Sequence, residues 1–285
     1  MGRHEVECFA AHLQIDPAAL DTWNLLERPT RTDRLNQADA ALIGGSGDYS
    51  VVRGGPWLDG ALDTMRLLAE ARTPTFASCW GFQAMSLALG GSVEHLPERG
   101  HVGTCAMTTT PSPTNDPVFG ALGDTFTAQF GHEDVVVTAP ATATVLVTSE
   151  HGDCMAWRLG DANIWGTQFH PELSDQDLLL RLRRYPKYVR EISGLSMEDF
   201  EATRMAPAPD ADHLLHAFAS QLAWPVSLRS AQSGDPRRRP QMPGPLRLRP
   251  CRQHQRCQAP LLQWRPNTLP HSRNHATVHL PRCTC

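Results

Sequence analysis

The chain has 285 residues, 41% of them hydrophobic and 20% charged, which supplies a sizeable core and excludes a chain disordered throughout. Its formal net charge of −4 averages two unlike regions: from Val226 onward there are eleven Arg, no Lys and one acid (Asp235), while the first 225 residues carry 15 basic and 29 acidic side chains. An acidic main part disfavours nucleic acid as a partner, and no apolar run approaches the roughly 18–20 residues of a membrane-spanning helix.

The opening Met1-Gly2-Arg3-His4-Glu5 does not start a signal peptide, so the expected location is the cytoplasm, with no membrane partner. The spacing of Val6, Phe9, Ala10 and Leu13 predicts a first helix over residues 5–13. Ala40-Ala41-Leu42-Ile43 reads as a short buried strand entering the turn Gly44-Gly45-Ser46-Gly47. Leu58, Leu62, Met65, Leu68 and Ala69 form the apolar stripe of a helix over 58–71. A second strand over 74–78 runs into a helix over 80–89, stopped by Gly90-Gly91. From about 102 to 169 the pattern is β-like, with clear runs at 135–137, 145–147 and 164–169. Helices return over 175–192, kinked at Pro186, and near 210–223. This alternation predicts an α/β fold, a doubly wound, mainly parallel sheet with helices on both faces.

Both ends depart from that plan. A doubly wound sheet starts on a buried strand ahead of its first helix, yet only a few polar residues precede Val6, so the first strand is expected to be missing. Residues 227–285 carry nine prolines, scattered Arg and His and no sustained period. The expected organisation is one domain over 1–225 and a disordered, basic, Pro/Arg-rich tail over 226–285. Arg237-Arg238-Arg239 reads as a solvated run rather than a nucleic-acid site. The spacing of Cys251, Cys257, Cys283 and Cys285 does not match a zinc site, and no metal is expected.

The chemistry concentrates at strand ends. Ala77-Ser78-Cys79-Trp80-Gly81-Phe82-Gln83 lies where a strand becomes a helix, the setting of a nucleophile elbow. There a helix amino terminus favours thiolate over thiol, although a lone buried Cys in isolation is usually packing. Gly166-Thr167-Gln168-Phe169-His170-Pro171-Glu172 ends the last clear strand, and Pro171 keeps His170 extended. Alternation then puts His170 and Glu172 on one side, so a carboxylate can orient an imidazole that takes the Cys79 proton. Taken alone, this pair is a surface His beside a surface Glu. Backbone N–H groups of the Gly44-Gly45 turn, together with that of Trp80, can form an oxyanion hole; taken alone, the glycines are an ordinary turn.

These motifs make the chain similar to the class I glutamine amidotransferases, flavodoxin-like domains, and especially to stand-alone proteins like the amidotransferase half of GMP synthase. The resemblance spans about residues 6–222. Of the family pattern Gly-x-Cys-x-Gly-x-Gln, Cys79, Gly81 and Gln83 match and Ala77 replaces the first Gly; His170, Pro171 and Glu172 match His-Pro-Glu in full. Gly44 and Gly45 match the oxyanion turn, with Ser46 where proline often follows. The family's Ser-His-x-Asp stretch is Gly131-His132-Glu133-Asp134 here, keeping His132 and Asp134.

The resemblance implies glutamine as substrate and hydrolysis of its side-chain amide. It assigns Cys79, His170 and Glu172 to catalysis, Gly45 and Trp80 to the oxyanion hole, and Gly44, Gln83, His132 and Asp134 to substrate binding. No metal or organic cofactor is implied. The ammonia is expected to go to a separate ATP-dependent synthetase in trans, because the chain itself carries no nucleotide-binding glycine signature. Two alternatives stand beside this: a stand-alone γ-glutamyl hydrolase or peptidase, and a catalytically inactive amidotransferase-like binding module.

Overall fold

The computed structural model describes residues 2–25, 35, 37–160 and 162–222, and the backbone of 277–281. Helix α1 (Gly2–Leu13) leads into strand β1 (Leu20–Asn24). Then come β2 (Ala41–Ile43), α2 (Leu58–Glu70), β3 (Thr75–Ser78) and α3 (Trp80–Ala88). Six strands follow: β4 (Ser92–His95), β5 (His101–Thr109), β6 (Thr125–His132), β7 (Asp134–Thr138), β8 (Ala143–Thr148) and β9 (Cys154–Leu159). The series continues with β10 (Ile164–Thr167), α4 (Asp175–Arg184), α5 (Met197–Arg204), α6 (Leu214–Gln221) and β11 (Thr277–Pro281).

Nine of these strands form one sheet in the order β1-β11-β2-β3-β10-β9-β8-β5-β6, and β4 pairs with β7 in a separate two-stranded sheet. The parallel pairing expected from the sequence lies at the centre, where β3 is flanked by β2 and β10. From β9 outward the ladder is antiparallel. The central strands are short and buried at every position because helices cover both faces. Beside β2, β11 runs antiparallel and pairs also with β1. The remainder of the predicted tail lies outside the described residues.

Side-chain alternation divides the core between the two faces. Phe76 and Trp165 point into one cluster with Phe9 and Leu13 of α1 and Leu215 and Phe218 of α6. Ala77 points into the other, with Met65 and Leu68 of α2 and Trp80, Phe82 and Met85 of α3. Each such large side chain, fully buried, contributes about 1.5–3 kcal/mol. The stripe of α2 is buried as its spacing predicts, while α3 is buried on every side from Trp80 to Ser86.

Helix α4 starts on a capping box in which Ser174 and Asp177 satisfy each other's backbone N–H groups. It stops at Tyr185, one residue before Pro186, instead of continuing as a kinked helix. A short turn at Pro186–Tyr188 and a π-helical turn at Val189–Ser193 follow. The ring of Pro186 cannot donate to the helix ladder and disfavours helical backbone at Tyr185. Among the described residues no helix is long and apolar enough to cross a membrane.

Candidate active site

The turn from β3 into α3 is as tight as the sequence suggests. Cys79 caps α3 with φ 51° and ψ −107°, a left-handed backbone that non-glycine residues rarely adopt. Its N–H donates to Thr167 O at 2.7 Å and its carbonyl accepts from Gln83 N at 3.0 Å, which fixes the elbow to β10 and to its own helix. Gly81 makes the turn fit. A β-carbon there would lie 2.6 Å from the carbonyl oxygen of Ile43, and the Gly81 N–H donates to Gly44 O at 3.2 Å.

The two ends of the parallel ladder then meet. His170 follows β10 and is buried; its Nδ1 is 2.7 Å from Glu172 Oε1, and Glu172 is fully buried. With Nδ1 engaged, Nε2 is the ring nitrogen left for Cys79, whose sulfur acts on the charge of the imidazole. Burial opposes a charge on His170, but the Glu172 carboxylate and the Cys79 sulfur overcome it and push the imidazole up to about 10. Burial likewise opposes the charge on Glu172; the His170 charge and hydrogen bond, with Arg181 behind them, hold its carboxyl below the ordinary value.

Gly45 closes the arrangement. A β-carbon on it would sit 2.7 Å from His170 Cε1 and 3.4 Å from Cys79 Cβ, so only glycine lets the β2 turn reach both. Trp80 is the first residue of α3, where a helical N–H has no partner inside its own helix. The sequence-predicted Cys79, His170, Glu172, Gly44, Gly45 and Trp80 are thus brought to one rim of the sheet.

An open cleft of about 310 Å³, counting the solvent at its mouth, reaches Cys79. Gln83, His132 and Asp134 all line it, as does Gly131, and several of their polar atoms are engaged by protein partners. Gln83 Nε2 donates to Asp134 O at 2.9 Å and to Gln168 Oε1 at 3.2 Å. The Asp134 carboxylate accepts from Ser50 Oγ at 2.5 Å and pairs with His95 Nδ1 at 2.8 Å. Gln83 and Asp134 thus shape the wall, while His132 keeps a buried Nε2 with no hydrogen-bond partner among the described residues. His132 Nδ1 bonds to Asp134 O at 2.9 Å, and burial, reinforced by His101, pushes its imidazole down to about 3, so it is neutral.

Four residues absent from the predicted set also line the cleft: Arg53, Tyr49, Tyr188 and Glu133. Tyr188 donates its hydroxyl to Gly47 O at 2.9 Å, tying the turn after β2 to the segment after α4. Also absent were Glu5 and Arg181, behind the His170–Glu172 pair. Both had a signal in the sequence. Arg181 shares the apolar stripe of α4 with Leu178 and Leu182, and Glu5 precedes Phe9 by one turn on the buried stripe of α1. A charged residue on a buried stripe needs a partner.

Known proteins resemble the chain in sequence and in fold. The family model for glutamine amidotransferase class-I matches residues 10–178. The chain is 32% identical over 160 residues to GMP synthase [glutamine-hydrolyzing] of Corynebacterium ammoniagenes, covering 55% of this chain and 28% of that protein. It is 31% identical over 143 residues to the glutamine-hydrolyzing GMP synthase component of Sulfolobus acidocaldarius, covering 50% and 71%. It is 30% identical over 148 residues to anthranilate synthase component 2 of Mycobacterium tuberculosis, covering 50% and 62%. The chain thus spans less than a third of the Corynebacterium protein. A solved glutamine amidotransferase of Thermotoga maritima has the same fold, with a TM-score of 0.52 and 19% identity over 63% of this chain and 76% of that one.

Proposed function

The chain belongs to the class-I glutamine amidotransferase family, and from that premise we propose that it hydrolyses the side-chain amide of glutamine through Cys79, His170 and Glu172. The observation that carries the reading is the strained backbone of Cys79, at φ 51°, beside an imidazole whose other nitrogen is held by a fully buried carboxylate. Strain of that kind persists where a site needs a side chain aimed at substrate.

In this reaction the Cys79 sulfur attacks the amide carbon. The oxygen of the tetrahedral intermediate accepts hydrogen bonds from the N–H groups of Gly45 and Trp80. An imidazole raised to about 10 holds its proton at neutral pH, so His170 can protonate the departing nitrogen as the C–N bond breaks. Ammonia leaves, and a γ-glutamyl thioester remains on Cys79. Water, losing a proton to His170, adds to the thioester; the C–S bond breaks, glutamate leaves and the sulfur recovers its starting state. Glu172 orients the ring throughout.

The cleft supports an amino acid as substrate. Arg53 and Glu133 place one charge of each sign on its lining, the pairing that a free α-carboxylate and α-ammonium require. The Sulfolobus and Mycobacterium relatives, each named as one part of its synthase, support delivery of the ammonia to a separate synthetase.

A glutamine-directed chloroketone tests the reading. Mass spectrometry should find the label on Cys79, with glutamine protecting and His170→Ala abolishing it. Label spread over Cys8, Cys105 and Cys154 without protection by glutamine would reject it. Glutaminase activity that rises when a synthetase is added supports a partner in trans. Rapid hydrolysis of γ-glutamyl amines by the chain alone supports the stand-alone hydrolase instead.

A further inference from the structure

Behind the His170–Glu172 pair lies a buried set of charges that the proposed reaction does not use. Arg181 Nη1 is 4.0 Å from Glu172 Oε1, and the Arg181 side chain is only 13% exposed. Glu5 reaches the same place from α1: its side chain is 5% exposed, and a β-carbon on Gly44, in the oxyanion turn, would collide with its Oε1. Four buried polar atoms here have no hydrogen-bond partner among the described residues: Glu5 Oε1, Glu172 Oε2, and Nε and Nη2 of Arg181. Burying a guanidinium without full hydrogen bonding is costly, so its retention between two carboxylates calls for a role.

The charges can be followed element by element. On α1, Glu5 and Cys8 face Arg181, and His4 bonds to Asp177 Oδ1 at 3.0 Å. On α4, Asp177 and Tyr185 face it. From the loop after β10 come Glu172 and, through it, His170. Burial opposes the charge on Arg181, and Glu5 and Glu172 are the largest influences holding it. Burial pushes the Glu5 carboxyl up to about 7, against the pull of Arg181. Below that pH Glu5 is neutral, and the positive charge of Arg181 falls mainly on Glu172.

We infer that Arg181 is a positioning residue for the proposed reaction: from the apolar stripe of α4 it keeps the buried Glu172 carboxylate ionised and turned toward His170. The guanidinium does not line the cleft, and its nearest link to His170 is the Glu172 carboxylate. Without it, Glu172 takes up a proton at a higher pH, and His170 loses the charge that holds its own proton. The loss appears on the acid side of the pH profile and leaves the alkaline side in place. This inference rests on the catalytic reading of Cys79, His170 and Glu172.

The test is the rate of Cys79 alkylation by iodoacetamide against pH, which needs no substrate, in the full chain. Wild type, Arg181→Gln, Arg181→Lys and His170→Ala are compared. The acid limb in Arg181→Gln is expected to move up by about one pH unit or more, with most of that shift restored in Arg181→Lys. A lower rate at every pH with the limb unmoved would show a merely structural role and overturn the inference. If Arg181→Gln does not fold, the Glu172 carboxyl is followed by ¹³C NMR in His170→Ala, where Arg181 is the remaining cation acting on it, assigned with the further change Glu172→Gln. A midpoint below the ordinary glutamate value of about 4.3 supports the inference, and one at or above it overturns it. Wild-type and His170→Ala profiles that coincide would sink the underlying reading, while the Glu172 titration would still decide the role of Arg181.

Discussion

Gly45 and His170 are packed so closely that a β-carbon on the glycine would stand 2.7 Å from Cε1 of the imidazole, nearer than real contacts allow. The turn after β2 and the loop after β10 therefore share one space, and the imidazole position depends on what the turn leaves open. Cys79 is the third member, 3.4 Å from the same hypothetical carbon through its Cβ.

Gly45→Ala should displace the imidazole and lower glutaminase kcat/KM by about 10²-fold, the loss typical of a misplacement near 1 Å. Gly60→Ala is the matched control: its β-carbon would meet nothing within 4 Å on α2. That variant should keep full activity and gain about 0.5–1 kcal/mol of stability, because alanine favours helix over glycine. Equal activity in both variants would contradict the packing argument.

Arg53 and Glu133 line the cleft, whereas His170 and Glu172 do not, so the first two bear on binding more than on chemistry. Arg53→Ala and Glu133→Gln should each raise KM for glutamine by about tenfold or more and change kcat little. The Arg53 variant should also lose its preference for glutamine over an analogue whose α-carboxylate is amidated. A fall in kcat at unchanged KM would contradict this assignment.

His132 and Glu5 make stability depend on pH in opposite senses. The folded imidazole is held down at about 3, so below its ordinary value of about 6.5 only the unfolded chain takes up that proton, and stability falls as pH falls. Glu5 is held up at about 7, so the folded chain keeps a proton the unfolded chain has released, and that contribution is lost as pH rises from about 4.5 through 7. Each effect is at most about 1.4 kcal/mol per pH unit. Urea unfolding at pH 7 and pH 5 should show His132→Gln gaining stability on acidification relative to wild type, and Glu5→Gln losing it. Parallel pH dependence in all three would contradict both assignments.

Local patterns made much of this legible in the sequence. The elbow at Cys79, the run His170-Pro171-Glu172 and the glycine turn after β2 are each confined to a few residues, and each falls at the strand end its pattern indicates. The apolar stripe of α2 and the buried β3 follow from composition and period alone. What was not legible depends on long-range pairing. β1 carries Asp21, Thr22 and Asn24, so no alternation marks it, and its pairing with β11 joins residues over 250 apart. Arg53 and Glu133 come from loops that adjoin only after the sheet forms. Asp134, matched to a substrate-binding position by resemblance, spends its carboxylate on Ser50 and His95, and only tertiary structure reveals those partners.

The most direct measurement is ammonia release from glutamine by the full chain and by Cys79→Ala, with both folds checked by circular dichroism. The account predicts release by the wild type and a loss of at least about 10³-fold in the variant, with the fold retained. Ammonia released by Cys79→Ala at the wild-type rate would contradict it.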